Sequence, residues 1–466
     1  MENKVFNVID FGGVSDGVTL CTKAVQQAID CCSNSGGGMV LFPNGRYVLS
    51  TVFLKDNVDI VFSEYTLILG SLNFCDYCFD EKIDYPLYQD GSHSYFRRSM
   101  FVGENCKNIS ISGRGQIDMR SVWDFNNISN NTYRGAKCIS LKHCENVILQ
   151  DFSVENCTDL AVYFAGCKNV LIERLKMRVF IDGISPDNSE NVKISDCDIE
   201  TGDDGIVFKS SYSLNRLGIC KNITVKNCRV KSRCNAIKFG TETNGGFEDI
   251  VIDDIDIRET RITGLSIESV DGAKIKRITV KNIKMRNVMT PLFIHLGRRM
   301  RGPKGLKVGS ISDILIENVL AEGPYEPYDA MPWNIFTWRG NFTKQYPWNF
   351  VAHPKFDYSK PENCELSDWQ MTSNVCGLEE SPLKNITLRN VKLVLDGGVK
   401  NKNLKAKEEP IDDYPEVDVY GKLLPAKGIF FRHVDRLILD NVVVNTYRED
   451  VREDFVFETT KNVAII

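Results

Sequence analysis

The chain has 466 residues, 42% hydrophobic and 26% charged, with a formal net charge of -5 at pH 7 and a pI near 5.8. That balance describes a folded chain with a large buried core, and its acidity, with no Lys/Arg-rich run, argues against a nucleic-acid surface. The start, Met-Glu-Asn-Lys-Val-Phe-Asn-Val, has no apolar signal region and no 18-residue apolar span follows, so neither a signal peptide nor a membrane helix is expected; a removed signal would leave the same start.

The sixteen cysteines are too many to ignore and the chain too long for a small disulfide scaffold. Cys144, Cys157, Cys167, Cys197, Cys220 and Cys228 recur at equivalent places in a repeat described below. They read as reduced thiols packed as small hydrophobes, which points to a reducing, cytoplasmic setting.

Residues 1–52 form a prologue. Phe6-Asn-Val-Ile-Asp-Phe11 reads as a strand, and Ala24, Val25, Ala28 and Ile29 mark one face of a helix over about residues 20–32. Gly36-Gly-Gly38 stops that helix, and Met39-Val-Leu-Phe42 returns as a strand. The glycines follow the helix instead of opening it, and no Gly-Lys-Ser/Thr is present, so a helix stop is the expected reading over a phosphate loop.

From about residue 53 the chain becomes short strands separated by Asn, Asp and Gly. A polar residue followed by Val, Ile or Leu recurs at Asn108, Asn146, Asn169, Asn191, Asn222, Asp249, Arg277, Asp313, Asn385, Arg436 and Asn462. Such a period, with no helix between the strands, fits an all-β solenoid in which each coil stacks on the one before. The two longest gaps are insertions, about 321–380 and 397–427. The first holds Trp333, Trp338, Trp348 and Trp369, whose ring faces are suited either to sugar stacking or to a local core.

A second ladder gives one strand per coil. Its members are Lys137-Cys-Ile-Ser-Leu-Lys142, Leu160-Ala-Val-Tyr-Phe-Ala165, Asp182-Gly-Ile-Ser-Pro-Asp187, Asp204-Gly-Ile-Val-Phe-Lys209, Asn235-Ala-Ile-Lys-Phe-Gly240, Thr263-Gly-Leu-Ser-Ile-Glu268 and Thr290-Pro-Leu-Phe-Ile-His295. Period-two alternation turns Ile184, Ile206, Ile237, Leu265 and Leu292 inward as one core column. The sixth column, Asp187, Lys209, Gly240, Glu268 and His295, then faces out as a polar groove for an extended chain ligand. Asp187, Asp203 and Asp204 converge on that groove, and glycoside hydrolysis needs one protonated and one ionised carboxyl at the scissile bond. Crowding three of them keeps one proton on the set.

These features resemble the polygalacturonase family of glycoside hydrolases, family 28. The resemblance rests on Phe6 to Gly17, on Gly36-Gly-Gly-Met-Val-Leu-Phe-Pro43, on Ser185-Pro-Asp187 in place of the family's Asn-Thr-Asp motif, and on the intact Gly202-Asp-Asp204. It implies one right-handed parallel β-helix over residues 1–466 with a short N-terminal capping helix, and an inverting hydrolase of pectic or related plant polysaccharides. Asp203 is then the general acid, with Asp187 and Asp204 holding the attacking water and an acid–base separation of about 6.5–9.5 Å.

Two departures bear on the substrate. Asn235 stands where the family carries the histidine of Gly-His-Gly, and Ser266-Ile-Glu268 replaces Arg-Ile-Lys, which would grip a uronate carboxylate. Lys209, Asn235, Lys238, Ser266, Glu268, His295 and Arg298 are the candidate substrate-binding residues, with Arg261 and Arg299 as further substitutes. Plain polygalacturonate is therefore not the expected substrate. Cys75-x-x-Cys78 has no second pair and the five histidines show no metal spacing, so no metal or cofactor is expected. The expected partner is an oligosaccharide or polysaccharide, with no nucleic acid or membrane. The alternatives are a polysaccharide lyase on the same fold and a non-catalytic carbohydrate-binding β-helix.

Overall fold

The computed structural model describes residues 4–121, 135–326, 370–408 and 414–466. The expected capping helix is Thr22–Asn34, with Ala24, Val25, Ala28, Ile29 and Cys32 buried. It closes one end of the core, against strands Val5–Asn7 and Gly38–Phe42. The segment expected as one strand from Phe6 to Phe11 is a strand only to Asn7 and then a 3-10 turn, Val8–Phe11. Asn7 accepts the Ile9 N–H through its side chain, and Gly12, at φ 91°, ends the turn in the left-handed region. A local side-chain bond here outcompetes strand pairing.

Beyond the cap the chain winds into a right-handed parallel β-helix. Every strand pairing among the described elements is parallel, and each strand pairs with its counterparts one coil before and after. The inward column forms as expected: Ile184 pairs with Ile206, Ile206 with Ile237, Ile237 with Leu265 and Leu265 with Leu292. All five are buried within one continuous apolar core that runs from Val8 to Val444.

The recurring polar residue proves to be the corner of each coil. Asn57, Asn108, Asn146, Asn169, Asn191 and Asn222 all have φ between +54 and +61°, a conformation that Asn tolerates better than other side-chain-bearing residues. Their amides bond one another up the stack: Asn108 to Asn57 at 2.8 Å, Asn146 to Asn108 at 2.8 Å, Asn169 to Asn146 at 2.9 Å, Asn191 to Asn169 at 3.0 Å and Asn222 to Asn191 at 2.7 Å. One residue type thus supplies both the turn geometry and the register between coils.

The solenoid continues to Glu322 and resumes at Ser373. The four tryptophans of the first insertion lie outside the described residues. Part of the second insertion covers the outward face of the ladder strands. Val417 packs with Cys234, Ile262, Met289 and Phe293, while Val419, Tyr420 and Leu424 pack with Cys376 and Phe430. The cysteines of the repeat are buried free thiols.

The corner ladder makes a prediction. Asn169 is exposed at φ 56°, so Asn169→Val loses only the left-handed tolerance and the two amide bonds, and a urea titration should show a loss of about 1–2 kcal/mol. Asn169→Gly keeps the conformation and should lose less. Equal losses in the two variants would remove the turn-geometry explanation.

Candidate active site

Three carboxylates do meet on the outer face, but they are Asp182, Asp203 and Asp204. Each offers an oxygen within 4.8 Å of the other two. Asp182 and Asp204 hold the same position on adjacent coils: the Gly183 N–H donates to the Asp204 carbonyl at 3.0 Å, and the Gly205 N–H to the Asn235 carbonyl at 2.8 Å. The glycine after each aspartate is required by this stacking. A Cβ on Gly183 would lie 2.5 Å from the Gly205 carbonyl oxygen, and one on Gly205 would lie 2.6 Å from that of Ala236. Paired strands about 4.8 Å apart bring Asp182 and Asp204 together. The Asp203 oxygen, within 4.8 Å of both, is closer to them than the roughly 6.5–9.5 Å expected between Asp203 and its base partner.

Asp203 sits in the turn before Gly205 and is the most exposed of the three. Its carbonyl accepts from Thr201 Oγ1 and Ser232 Oγ, both at 2.6 Å, which fixes the turn from two coils. Asp204 is buried; its Oδ1 accepts from Asn235 Nδ2 at 2.6 Å, and Lys238 Nζ lies 3.7 Å from its Oδ2. Burial raises the Asp204 carboxyl above its usual range, against the pull of Lys238, and Asp182 adds to the rise. The three oxygens also lie close enough together to hold a metal ion, the one such set of His, Cys, Asp or Glu side chains among the described residues.

Asp187 is not part of this set, which corrects the sequence reading. It is fully buried and bonded on both oxygens: by the Ser211 N–H at 2.9 Å, Ser213 Oγ at 3.0 Å, Tyr163 Oη at 2.9 Å and the Ser211 hydroxyl. The serines belong to the segment between strands Ile206–Ser210 and Ile219–Ser232, which folds over the end of the Asp187 strand. Asp187 thereby anchors a loop. The signal for Asp182 was present in the repeat itself, since Asp-Gly-Ile stands at the same place in two consecutive coils.

The remaining candidates divide. Lys209 is register partner to Asp187, but its ammonium turns to Glu242 Oε2 at 2.8 Å. Burial opposes its charge, yet Glu242, Asp182 and Asp204 outweigh that and hold it protonated. Asn235 supports Asp204 and accepts from Thr263 Oγ1 at 2.6 Å. Lys238 lies between Asp204 and Glu268, 3.8 Å from Glu268 Oε1. Ser266 donates its hydroxyl to Glu268 Oε1, while Glu268 Oε2 is buried without a hydrogen-bond partner. Arg298 is paired at the surface with Glu380 at 2.9 Å, and Arg299 with Asp271. Arg261 is buried.

His295 is also corrected. Only 2% exposed, its ring stacks on Phe293 at 5.5 Å and meets the Tyr420 hydroxyl at 3.2 Å, so it is packing beneath the second insertion. Sequence reasoning missed Glu416 from the same insertion. Burial pushes its carboxyl up to about 7 despite the attraction of Lys238, and Glu268 adds to the shift. His93 was missed as well; it comes from a loop far upstream, with Nε2 3.9 Å from Asp182 Oδ2.

The fold and the outward carboxylate cluster define a parallel β-helix of the carbohydrate-active kind. Residues 78–324 match the family model "Glycosyl hydrolases family 28", and the chain belongs to that family. A "Probable polygalacturonase" of Vitis vinifera is 26% identical over 303 residues, 60% of this chain and 61% of that protein. An "Exo-poly-alpha-D-galacturonosidase" of Dickeya chrysanthemi is 24% identical over 338 residues, 61% of this chain and 56% of that protein. The chain thus spans about three fifths of the length of these curated relatives. The solved exopolygalacturonase from Thermotoga maritima superposes with a TM-score of 0.69 at 16% identity, covering 96% of this chain and 92% of that one.

His295, as a packing residue, gives the fold a pH signature. Burial lowers its pKa to about 4, below the ordinary value of about 6.5. The unfolded chain binds the extra proton first, so this residue's contribution to stability is present above about 6.5 and is lost as pH falls through about 4. His295→Gln should flatten the fall of the thermal midpoint between those limits. An unchanged slope would mean that the ring is not buried neutral.

Proposed function

We propose that this chain is a glycoside hydrolase of pectic or related polysaccharides that works by single displacement. Asp203, the carboxyl most open to the groove, protonates the leaving oxygen, and Asp182 and Asp204 hold and deprotonate a water that attacks the anomeric carbon. What supports it is the convergence of Asp182, Asp203 and Asp204 on one patch of the groove. The set is tighter than the roughly 6.5–9.5 Å usual for inverting pairs, so the reading requires the water to be held between Asp182 and Asp204, and a retained product anomer would overturn it. A water donating both hydrogens at about 2.7–2.8 Å spans two acceptors roughly 4.3–4.5 Å apart. The stacked pair suits one bridging water; burial favours a proton on Asp204, so the mechanism requires Lys238, Lys209 and Asn235 to hold Asp204 ionised while Asp203 carries the proton of the set.

The substrate reading follows from the groove beside this set. Lys238 is shared between Asp204 and Glu268, the unpartnered Glu268 Oε2 is an acceptor with no donor, and the Glu416 carboxyl faces the same lysine. A second carboxylate brought here by the substrate meets like charge, and such juxtaposition costs several kcal/mol. A neutral sugar, whose hydroxyls donate to Glu268 and Glu416, fits the same space. Unbranched polygalacturonate is accordingly a poor substrate, and a mixed pectic oligosaccharide with a neutral residue at this position is a better one.

The test is a panel of oligogalacturonides and mixed pectic oligosaccharides, with the product anomer followed by NMR. The expected result is an inverted product from a mixed oligosaccharide, with turnover falling about 10²–10⁴-fold in Asp203→Asn. Efficient cleavage of oligogalacturonides by the wild type contradicts the substrate reading, and a gain on them in a Ser266→Arg/Glu268→Lys double variant supports it. An unsaturated, ultraviolet-absorbing product would instead make the chain a lyase.

A further inference from the structure

One buried titratable group near the carboxylates has no part in the mechanism above. His93 ends a 3-10 turn, Gly91–His93, in the segment between strands Thr66–Gly70 and Ser99–Glu104. Asp90 opens that turn, accepting the His93 N–H at 3.1 Å while its Oδ1 lies 2.8 Å from ring Nδ1. The ring is 4% exposed and stands edge-on to Tyr163, with centroids 5.8 Å apart at 85°. Tyr163 Oη lies 3.0 Å from the His93 carbonyl and 2.9 Å from Asp187 Oδ2, so one solenoid side chain ties the loop to the strand pair beneath it.

With Nδ1 directed at Asp90, Nε2 is the free end of the ring. It is buried, has no hydrogen-bond partner, and faces Asp182 Oδ2 at 3.9 Å. That is too long for a hydrogen bond at rest, but contacts of this kind shorten when a site closes on its substrate. We infer that His93 is a positioning residue: its imidazolium, set by Asp90, donates through Nε2 to Asp182 and holds that carboxylate ionised and oriented toward the water it shares with Asp204. The activity part of this inference rests on the proposed hydrolysis; the charge coupling does not.

The charged groups around the ring agree in sign. Asp90, Asp182 and Glu242 favour the imidazolium, Lys209 opposes it, and Lys209 is itself bonded to Glu242 at 2.8 Å. Burial works against the charge, but the carboxylates prevail and raise the ring to about 10. Asp182 accepts the Asp204 N–H at 3.3 Å through Oδ1, so a donor on Oδ2 fixes the carboxylate plane from the other side. On the neighbouring coil the backbone N–H of Asn235 donates to Asp204 Oδ1 in the same way, and a cation, Lys238, faces Oδ2 at 3.7 Å.

The coupling is measurable without turnover. The chain has five histidines, so a pH titration of 13C-labelled histidine by NMR resolves the ring lost in His93→Gln. In the wild type that ring should remain imidazolium through pH 8, and Asp182→Asn should lower its midpoint by at least about 1 unit. A midpoint near the ordinary histidine value, or one indifferent to Asp182→Asn, overturns the inference. Should His93→Gln fail to fold, removing the other histidines in turn assigns the signal by elimination. On an oligosaccharide that the panel shows to be cleaved, His93→Gln should lower kcat about tenfold or more with little change in KM and move the acid limb of kcat/KM upward. Imidazole should partly rescue His93→Ala. Wild-type rates and limbs in both variants would overturn the inference while leaving the hydrolase reading intact; no cleavage of any panel member would strike the hydrolase reading and leave the titration standing.

Discussion

Everything at the site depends on coils stacking in register at a fixed strand spacing. The asparagine corners enforce that register, because each places its backbone in the left-handed region and bonds its amide to the same residue one coil away. A side chain repeated at one position of consecutive coils is therefore delivered about 4.8 Å from its copy. For core isoleucines this is ordinary packing. For two aspartates it is a costly approach of like charges, tolerable only with cations and donors around it.

The surroundings of Asp182 and Asp204 supply those partners in alternating sign. Asp90, His93, Asp182, Lys209, Glu242 and Arg301 follow one another on one side, with Lys209 to Glu242 and Arg301 to Glu242 both at 2.8 Å. Asp204, Lys238 and Glu268 continue it on the other. Among the described residues, Lys238 lies between Asp204 and Glu268, and Lys209 and Arg301 both pair with Glu242. The second insertion adds one more carboxyl, Glu416, which burial pushes up to about 7.

The solenoid was legible because its two signals are local and repeated: the polar corner before Val, Ile or Leu, and the alternation that buries Ile184, Ile206, Ile237, Leu265 and Leu292. Asp203 and Asp204 were legible because they lie in a turn between ladder strands. Asp187 enters the set from sequence, and Asp182 is not considered, for a physical reason: alternation says which residues point away from the core, but not which of them a loop will cover. Ser211 and Ser213 cover Asp187, and Tyr420 covers His295. His93 was invisible for the same reason in reverse, since a loop brings it back to a coil whose aspartate lies far ahead in the chain. The single strand expected from Phe6 to Phe11 failed more simply, through the capping bond of Asn7.

The central claim is that the working set is Asp182 with Asp203 and Asp204, and that Asp187 is a buried anchor. Side-by-side kinetics of Asp182→Asn and Asp187→Asn, on the best oligosaccharide and normalised to folded protein, address it most directly. Asp182→Asn should lose about 10²–10⁴-fold in kcat with its thermal midpoint near that of the wild type. Asp187→Asn, which leaves a network of buried donors mismatched, should lower the thermal midpoint and keep kcat within a few-fold. An Asp182→Asn enzyme of near-normal turnover, or a stably folded Asp187→Asn enzyme without any, would contradict this account.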